Sequence, residues 1–346
     1  MIIFGGNSTE HEVSIISASN VIKNISKEKY NLFLVRINKK GEWYLYSGDI
    51  NNILNKNWEN DKNNKKVLIF PNVGIVIIEK DSYKTINIDV AFPVLHGKNG
   101  EDGTIQGLLK LANIPVVGCE TASSAVCMDK IFTNSILKFN NINKPDFMWF
   151  YYYDFEKNPE KYLNQVEKFP VFIKPANSGS SIGVNRAYNK QELENFIKIA
   201  SGYDEKILVE NAIIGQEVEC SVIGNEDLTA SILGEIVTKD GFYDYDGKYI
   251  NDTSELIIPA RLSEKITNQV KNIVLKSYKI LGCKGFARVD LLVEKNSNEI
   301  YLNEINTIPG FTTISMYPKL MNEIGYKMPK LIDNLVDLAL KNYKNV

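Results

Sequence analysis

The chain has 346 residues, with 40 Lys plus Arg against 42 Asp plus Glu and a net charge of -2. Hydrophobic residues make up 44% and charged residues 24%, so the chain is globular, with room for roughly two or three domains. The charge balance excludes a nucleic-acid binder, which needs a basic surplus. Two histidines, His11 and His96, and four scattered cysteines exclude a His-rich metal site and any CxxC zinc or redox motif. The cysteines read as reduced, buried thiols. No apolar run approaches the roughly 20 residues that span a bilayer, and the start carries no signal-peptide pattern. The expected location is therefore the cytoplasm.

In chain order, an apolar run closes on Gly5-Gly6 and leads into a helical pattern with Val13, Ile16, Ile22 and Ile25. Strand, glycine turn and helix open an α/β unit. Strands are expected over Asn31–Ile37 and Gly41–Tyr46, and the Asn- and Lys-rich stretch Asn51–Lys66 reads as a solvated loop. Asn87–Leu95 is a buried parallel-type strand ending at His96-Gly97, followed by a polar loop, a helix over Thr104–Ala112 and a short strand over Ile114–Val117. Ligands sit off the carboxyl ends of strands in such sheets, so Gly5-Gly6 and His96-Gly97 are expected to share a cleft.

One long helix is predicted over Ser123–Phe139. Strands follow over Phe169–Lys174, through Val184 and Arg186, and over Lys206–Glu210, with a helix over Gln191–Ala200. Glu217–Ile223 and Ser231–Val237 alternate like antiparallel strands. Gly241–Ser254 is a polar, Tyr-rich segment, long enough to suggest a functional lid. A helix over Glu264–Leu281, a hairpin of Gly285–Glu294 with Glu299–Ile305, and an amphipathic helix over Met328–Tyr343 complete the reading.

The chemistry concentrates in that hairpin. Side chains repeat every two residues in a strand, so Arg288 shares a face with Asp290, and Glu304 with Asn306. If the two faces coincide, two carboxylates and an amide oxygen form a hard oxygen site suited to magnesium, with Arg288 beside it. The run from Lys174 to Gly183 is rich in small residues whose N–H groups approach phosphate closely, although it is not a Walker A loop. Glu210 and Glu217 suit adenine and ribose hydrogen bonds, but exposed glutamates are common.

The order of Gly5–Ser14, His96–Gly103, Met128-Asp129-Lys130, Lys174–Gly183, Phe242–Tyr245 with Lys248-Tyr249, Gly285–Asp290 and Asn303–Thr312 resembles the D-alanine–D-alanine ligases of the ATP-grasp superfamily. The resemblance covers nearly the whole chain. It implies an α/β, three-domain ATP-grasp fold: a parallel-sheet substrate domain over 1–118, a central subdomain over 119–210, and a catalytic domain over 211–346 with a lid at 241–254. ATP is held between the last two. It departs from the family at the start, where relatives carry several more residues before the first Gly-Gly strand, so that Met1 reads as a shortened start.

The resemblance also implies roles. Glu10 holds the first substrate's ammonium, and Ser180 and Tyr249 bond with it. Arg288 and the N–H of Gly310 stabilise an oxyanion. His96, Ser315 and Met316 face the substrates. Lys130, Lys174, Glu210, Ile213, Glu217, Phe242 and Lys248 hold ATP, while Asp290, Glu304 and Asn306 hold two Mg2+ ions, replaceable by Mn2+. Plainer readings stand beside these: Glu10 as a helix N-terminal acid, Lys130 as a surface lysine, His96 bonded to backbone, and the lid tyrosines as ordinary anchors.

The implied activity joins two D-alanines, using ATP, for peptidoglycan synthesis by a cytoplasmic homodimer. Ligation to D-serine or D-lactate, another ATP-grasp carboxylate–amine ligase, and a non-catalytic nucleotide-binding module are the alternatives. The family's lactate users often carry a lid histidine and its serine users an arginine at the position of Met316. This chain has neither.

Overall fold

The computed structural model describes residues 1–54, 58, 61, 63–238 and 254–344. Its strands form three sheets. The first contains β1 (Ile2–Gly5), β2 (Leu34–Ile37), β3 (Trp43–Tyr46), β4 (Lys65–Phe70), β5 (Gly74–Ile78), β6 (Tyr83–Ile86) and β7 (Phe92–Val94), in the order β6-β5-β4-β3-β2-β1-β7. Only β1, β2 and β7 run parallel, and β3 to β6 extend the sheet as an antiparallel meander. β1 is apolar throughout because both of its faces are covered. Ile2 and Phe4 pack with Ile15, Ala18 and Ile22 of the helix His11–Asn24, and Ile3 packs with Ile105 and Leu109 of the helix Thr104–Leu111. The final helix, Met328–Lys344, inserts Leu331, Ile332 and Leu335 into the same core as His11–Asn24.

The second sheet holds β8 (Phe147–Tyr151), β9 (Val171–Pro175), β10 (Asn185–Ala187) and β11 (Lys206–Asn211), in the order β10-β9-β11-β8. Leu193, Ile197 and Ala200 of the helix Lys190–Ala200 belong to its core. The third holds β12 (Gly215–Ile223), β13 (Thr229–Thr238), β14 (Ser254–Ile257), β15 (Phe286–Glu294) and β16 (Ile300–Asn306), in the order β14-β13-β12-β15-β16. One of its faces is apolar: Val218, Cys220, Val289 and Leu291 pack with Val270, Val274 and Tyr278 of the helix Glu264–Ile280. All four cysteines are buried and free.

Several expectations need correcting. Asn51–Lys66 is not simply solvated: Ile53 and Trp58 are fully buried, and the Arg36 guanidinium lies 4.4 Å from the Trp58 ring. A large aromatic in a polar run gains more from the core than its neighbours lose. The helix expected over Ser123–Phe139 is two helices, Thr121–Met128 and Lys130–Phe139. Asp129 adopts an extended backbone between them and caps the second, accepting from the N–H groups of Ile131 at 2.9 Å and Phe132 at 3.1 Å. The Ile114–Val117 strand is reduced to a single parallel bridge, Ala91 to Val116.

Candidate active site

β1 and β7 are parallel neighbours, Phe4 opposite Val94, so Gly5-Gly6 and His96-Gly97 do emerge side by side. Glu10 sits at the start of the first helix and is buried. Its carboxylate is enclosed by glycines. A Cβ on Gly179 would stand 2.8 Å from Glu10 Oε2, and one on Gly97 would overlap it. Ser180 donates to Glu10 Oε1, bringing the small-residue loop of 176–183 over the start of the first helix. Ser180 and Ser181 do this with left-handed backbones, φ 50 and 58. That conformation costs about 1 kcal/mol or more per non-glycine residue.

The break at Asp129 aims Lys130 at this loop. Its main-chain N–H donates to the Ala176 carbonyl at 3.1 Å and its Nζ to the Ser178 carbonyl at 2.5 Å. Lys174 pairs with the buried Glu210 and also donates to Asn303 Oδ1 at 3.3 Å.

On the polar face of the third sheet the strand registers bring the expected constellation together. Arg288 lies opposite Asn306 and Asp290 opposite Glu304, so all four share one face. The Arg288 guanidinium forks onto Asp290, with both bonds at 2.7 Å, and reaches Glu219 at 3.0 Å. Asn306 Nδ2 donates to Asp290 Oδ2 at 3.0 Å, which leaves Oδ1 as its acceptor atom. Among the described residues no three His, Cys, Asp or Glu side chains form a metal cage. Two carboxylates and an amide oxygen nonetheless fit magnesium, which takes few protein ligands and completes its shell with water and phosphate oxygens.

Two adjoining cavities unite these groups. The larger, about 520 Å³, is lined among others by Glu10, His96, Arg288, Glu304, Gly310 and Ser315. The smaller, about 110 Å³, is lined by Lys174, Glu210, Ile213, Glu217 and Phe172. Lys130, Ser178, Ser180 and Glu304 line both. Asn306 and Met316 line the larger; the buried Asp290 lies behind it, on Arg288. Met316 belongs to an apolar cluster with Ile236 and Leu320, and a Cβ on Gly234 would stand 2.6 Å from its sulfur. Phe242, Lys248 and Tyr249, and the expected lid up to residue 253, lie outside the described residues.

His96 lines the larger cavity and makes the backbone bond of its plainer reading. Its Nδ1 bonds the Ile308 carbonyl at 3.0 Å, and burial pushes its pKa down to about 4, so the ring is neutral. Four groups escaped the sequence reading. Glu101 is enclosed in the large cavity's wall, and burial, then the nearby Glu10 carboxylate, holds it well above the usual carboxylate range. Glu219 is buried beside Arg288. Lys144 donates to the Asn303 carbonyl at 2.7 Å, and its burial brings the amine down to about 7. Lys319 lines the large cavity next to Ser315. The alternation over Glu217–Ile223 puts Glu219 on the face of Glu217 and could have found it; the others depend on contacts distant in sequence.

Three sheets enclosing these paired cavities form the ATP-grasp fold. The family profiles described as "D-ala D-ala ligase N-terminus" and "D-ala D-ala ligase C-terminus" match residues 1–119 and 136–337. The chain belongs to the D-alanine–D-alanine ligase family. It is 48% identical to the D-alanine–D-alanine ligase of Clostridium acetobutylicum, over 98% of this chain and 96% of that one. Among solved structures it is similar to the VanG D-Ala:D-Ser ligase from Enterococcus faecalis, with TM-score 0.90 and 42% identity over 98% of each chain. It is also similar to the D-alanine-D-alanine ligase from Coxiella burnetii, with TM-score 0.85 and 33% identity over 99% of this chain and 95% of that one.

Proposed function

We propose that the protein joins two D-alanine molecules into D-alanyl-D-alanine, converting ATP to ADP and phosphate, for peptidoglycan precursor synthesis. The observation that carries the reading is the meeting of Glu10, Ser180, Arg288 and Glu304, from three separate sheets' surroundings, around one cavity. In this assignment residues 1–118 bind the first D-alanine, and 119–210 with 211–346 hold the nucleotide, with 241–254 as the lid. Phe242, Lys248 and Tyr249 belong to that lid by family resemblance. A homodimer in the cytoplasm fits the same family. Among the described residues no helix is long and apolar enough to cross a membrane.

Glu10 accepts the first D-alanine's ammonium, a charge-assisted bond that fixes the carboxylate toward the smaller cavity. There Lys130 and Lys174 neutralise phosphate oxygens, while Glu210, Ile213 and Glu217 hold the base and ribose. A carboxylate oxygen attacks the γ-phosphorus and ADP leaves, giving an acyl phosphate. Asp290, Glu304 and Asn306 would hold two magnesium ions, with manganese as a substitute, and bound magnesium offsets the phosphate charge. The second D-alanine, its carboxylate at Ser315 and Lys319, attacks the acyl carbon through its neutral amine. The oxyanion of the tetrahedral species faces Arg288 and the Gly310 N–H. Collapse expels phosphate, and the nitrogen loses its proton.

Met316 decides the second substrate. It is buried among Ile236 and Leu320, offers no hydrogen-bond donor, and suits a methyl group. An apolar pocket rejects an added hydroxyl by about 10²-fold at most, so slow D-serine use is compatible with this assignment. The test is competition: ATP with D-alanine alone, then with equimolar D-serine, then with D-lactate, products identified by mass. Alanyl-alanine should predominate throughout. Predominance of D-alanyl-D-serine at neutral pH would reverse the assignment.

A further inference from the structure

Gly310 lies on the loop between β16 and the helix Met316–Glu323, and main-chain groups on either side of it are held by side chains from the first domain. The Ile308 N–H faces Glu101 Oε1 at 3.4 Å, and the Ile308 carbonyl accepts from His96 Nδ1 at 3.0 Å. Two residues beyond Pro309, the Phe311 N–H donates to Ser17 Oγ at 3.2 Å, and the Phe311 carbonyl accepts from Asn20 Nδ2 at 2.7 Å. Pro309 and Gly310 are therefore bracketed by two residues, each held at both its N–H and its carbonyl.

The hydrogen assignments agree with one another. His96 Nδ1 faces a carbonyl and must carry the proton, so Nε2 is an acceptor. Ser17 Oγ lies 3.3 Å from Nε2 and donates to it, leaving its lone pairs for the Phe311 N–H. The neutral state of the buried imidazole is the state this chain requires. Glu101 Oε2 also accepts from the Gly97 N–H at 2.8 Å, tying the clamp to the turn that encloses Glu10. The Phe311 ring completes the anchorage, 5.7 Å from both Phe92 and Phe286.

We infer that Ser17, Asn20 and Glu101 are positioning residues which, together with His96, fix the Gly310 N–H where the oxyanion forms. The inference rests on the ligase reading above. A loop has no ladder of hydrogen bonds to hold it, and a catalytic donor must be placed before charge develops. The clamp supplies that placement from the domain that binds the first substrate.

The experiment uses the full-length enzyme and the variants Ser17→Ala and Asn20→Ala. Ser17→Ala removes one oxygen from a packed position, and Asn20 is only half-buried, so each keeps the fold, which a melting curve checks. Three quantities are measured: kcat, KM for ATP and the first D-alanine, and affinity for a phosphinate dipeptide, whose tetrahedral phosphorus imitates the intermediate. Each variant should lose roughly 10- to 100-fold in kcat and in phosphinate affinity, with both KM values within about threefold of wild type. Unchanged kcat, or equal losses in every constant, would overturn the clamp while leaving the ligase reading intact. A wild-type enzyme that makes no dipeptide would overturn both.

Discussion

Ser180 donates a hydrogen bond to Glu10, a residue 170 positions away, and so joins the small-residue loop to the start of the first helix. The bond orients one carboxylate oxygen of Glu10, the group proposed above to take the substrate's ammonium. Glu10→Gln should raise KM for the first D-alanine by on the order of 10²-fold, since it replaces a charged partner by a neutral one. Ser180→Ala should raise it less. In the double variant the losses should fall short of additive by about 0.5–3 kcal/mol. Full additivity would mean that the two act separately.

Asp290→Asn preserves shape and removes one charge from the face shared by Arg288, Glu304 and Asn306. Turnover should fall by at least about 10²-fold at limiting magnesium. Arg288 keeps Glu219 as an ion-pair partner at 3.0 Å, so folding stability should change far less. Steady-state rates at several magnesium concentrations, beside calorimetry, check both halves. Near-normal turnover would remove Asp290 from the metal site.

Gly97→Ala tests how tightly Glu10 is enclosed. Gly97 has φ +67, and an added Cβ would displace the Glu10 carboxylate. The strained backbone alone should cost about 1–2 kcal/mol. First-substrate binding should weaken much more than ATP binding. Equal weakening of the two ligands would count against Glu10 as the ammonium partner.

The His96 imidazole has a folded pKa of about 4 against an ordinary 6.5. The unfolded chain therefore takes up this proton first as the pH falls. The stability contributed is fully present above pH 6.5 and is lost between 6.5 and about 4, on the order of 3 kcal/mol in all. His96→Gln should lack this component. The difference between wild-type and variant melting temperatures, followed across that window, isolates it from the carboxylates. A pH-independent difference would contradict the buried neutral ring.

What the sequence made legible was whatever followed from local periodicity. The period of two placed Arg288 with Asp290 and Glu304 with Asn306, and the registers make the two faces one. The cleft beside Gly5-Gly6 and His96-Gly97 followed from strand ends. Trp58 did not stand out, because its Asn- and Lys-rich neighbours dominate any window average. The meander over Lys65–Ile86 was missed although the apolar runs Val67–Phe70 and Gly74–Ile78 around Pro71-Asn72 carry a hairpin pattern. The break at Asp129 was readable in principle, as an N-cap aspartate followed by an apolar period, but an uninterrupted helical pattern outweighed it. Glu101 and Lys144 look like surface charges until Ile308 and Asn303 are placed beside them.

The clamp on Phe311 joins residues more than 290 positions apart in sequence. During synthesis the first sheet, with Glu10 and His96, leaves the ribosome long before Ile308, Gly310 and Phe311 are translated. A nascent chain stopped between the two would lack Gly310 and also the Met328–Lys344 helix that completes the core beneath the first sheet. Catalytic competence is thus the last property this chain acquires as it is made. Any translational arrest before Phe311 is expected to yield a polypeptide without ligase chemistry, so that dipeptide synthesis reports chains translated past the clamp.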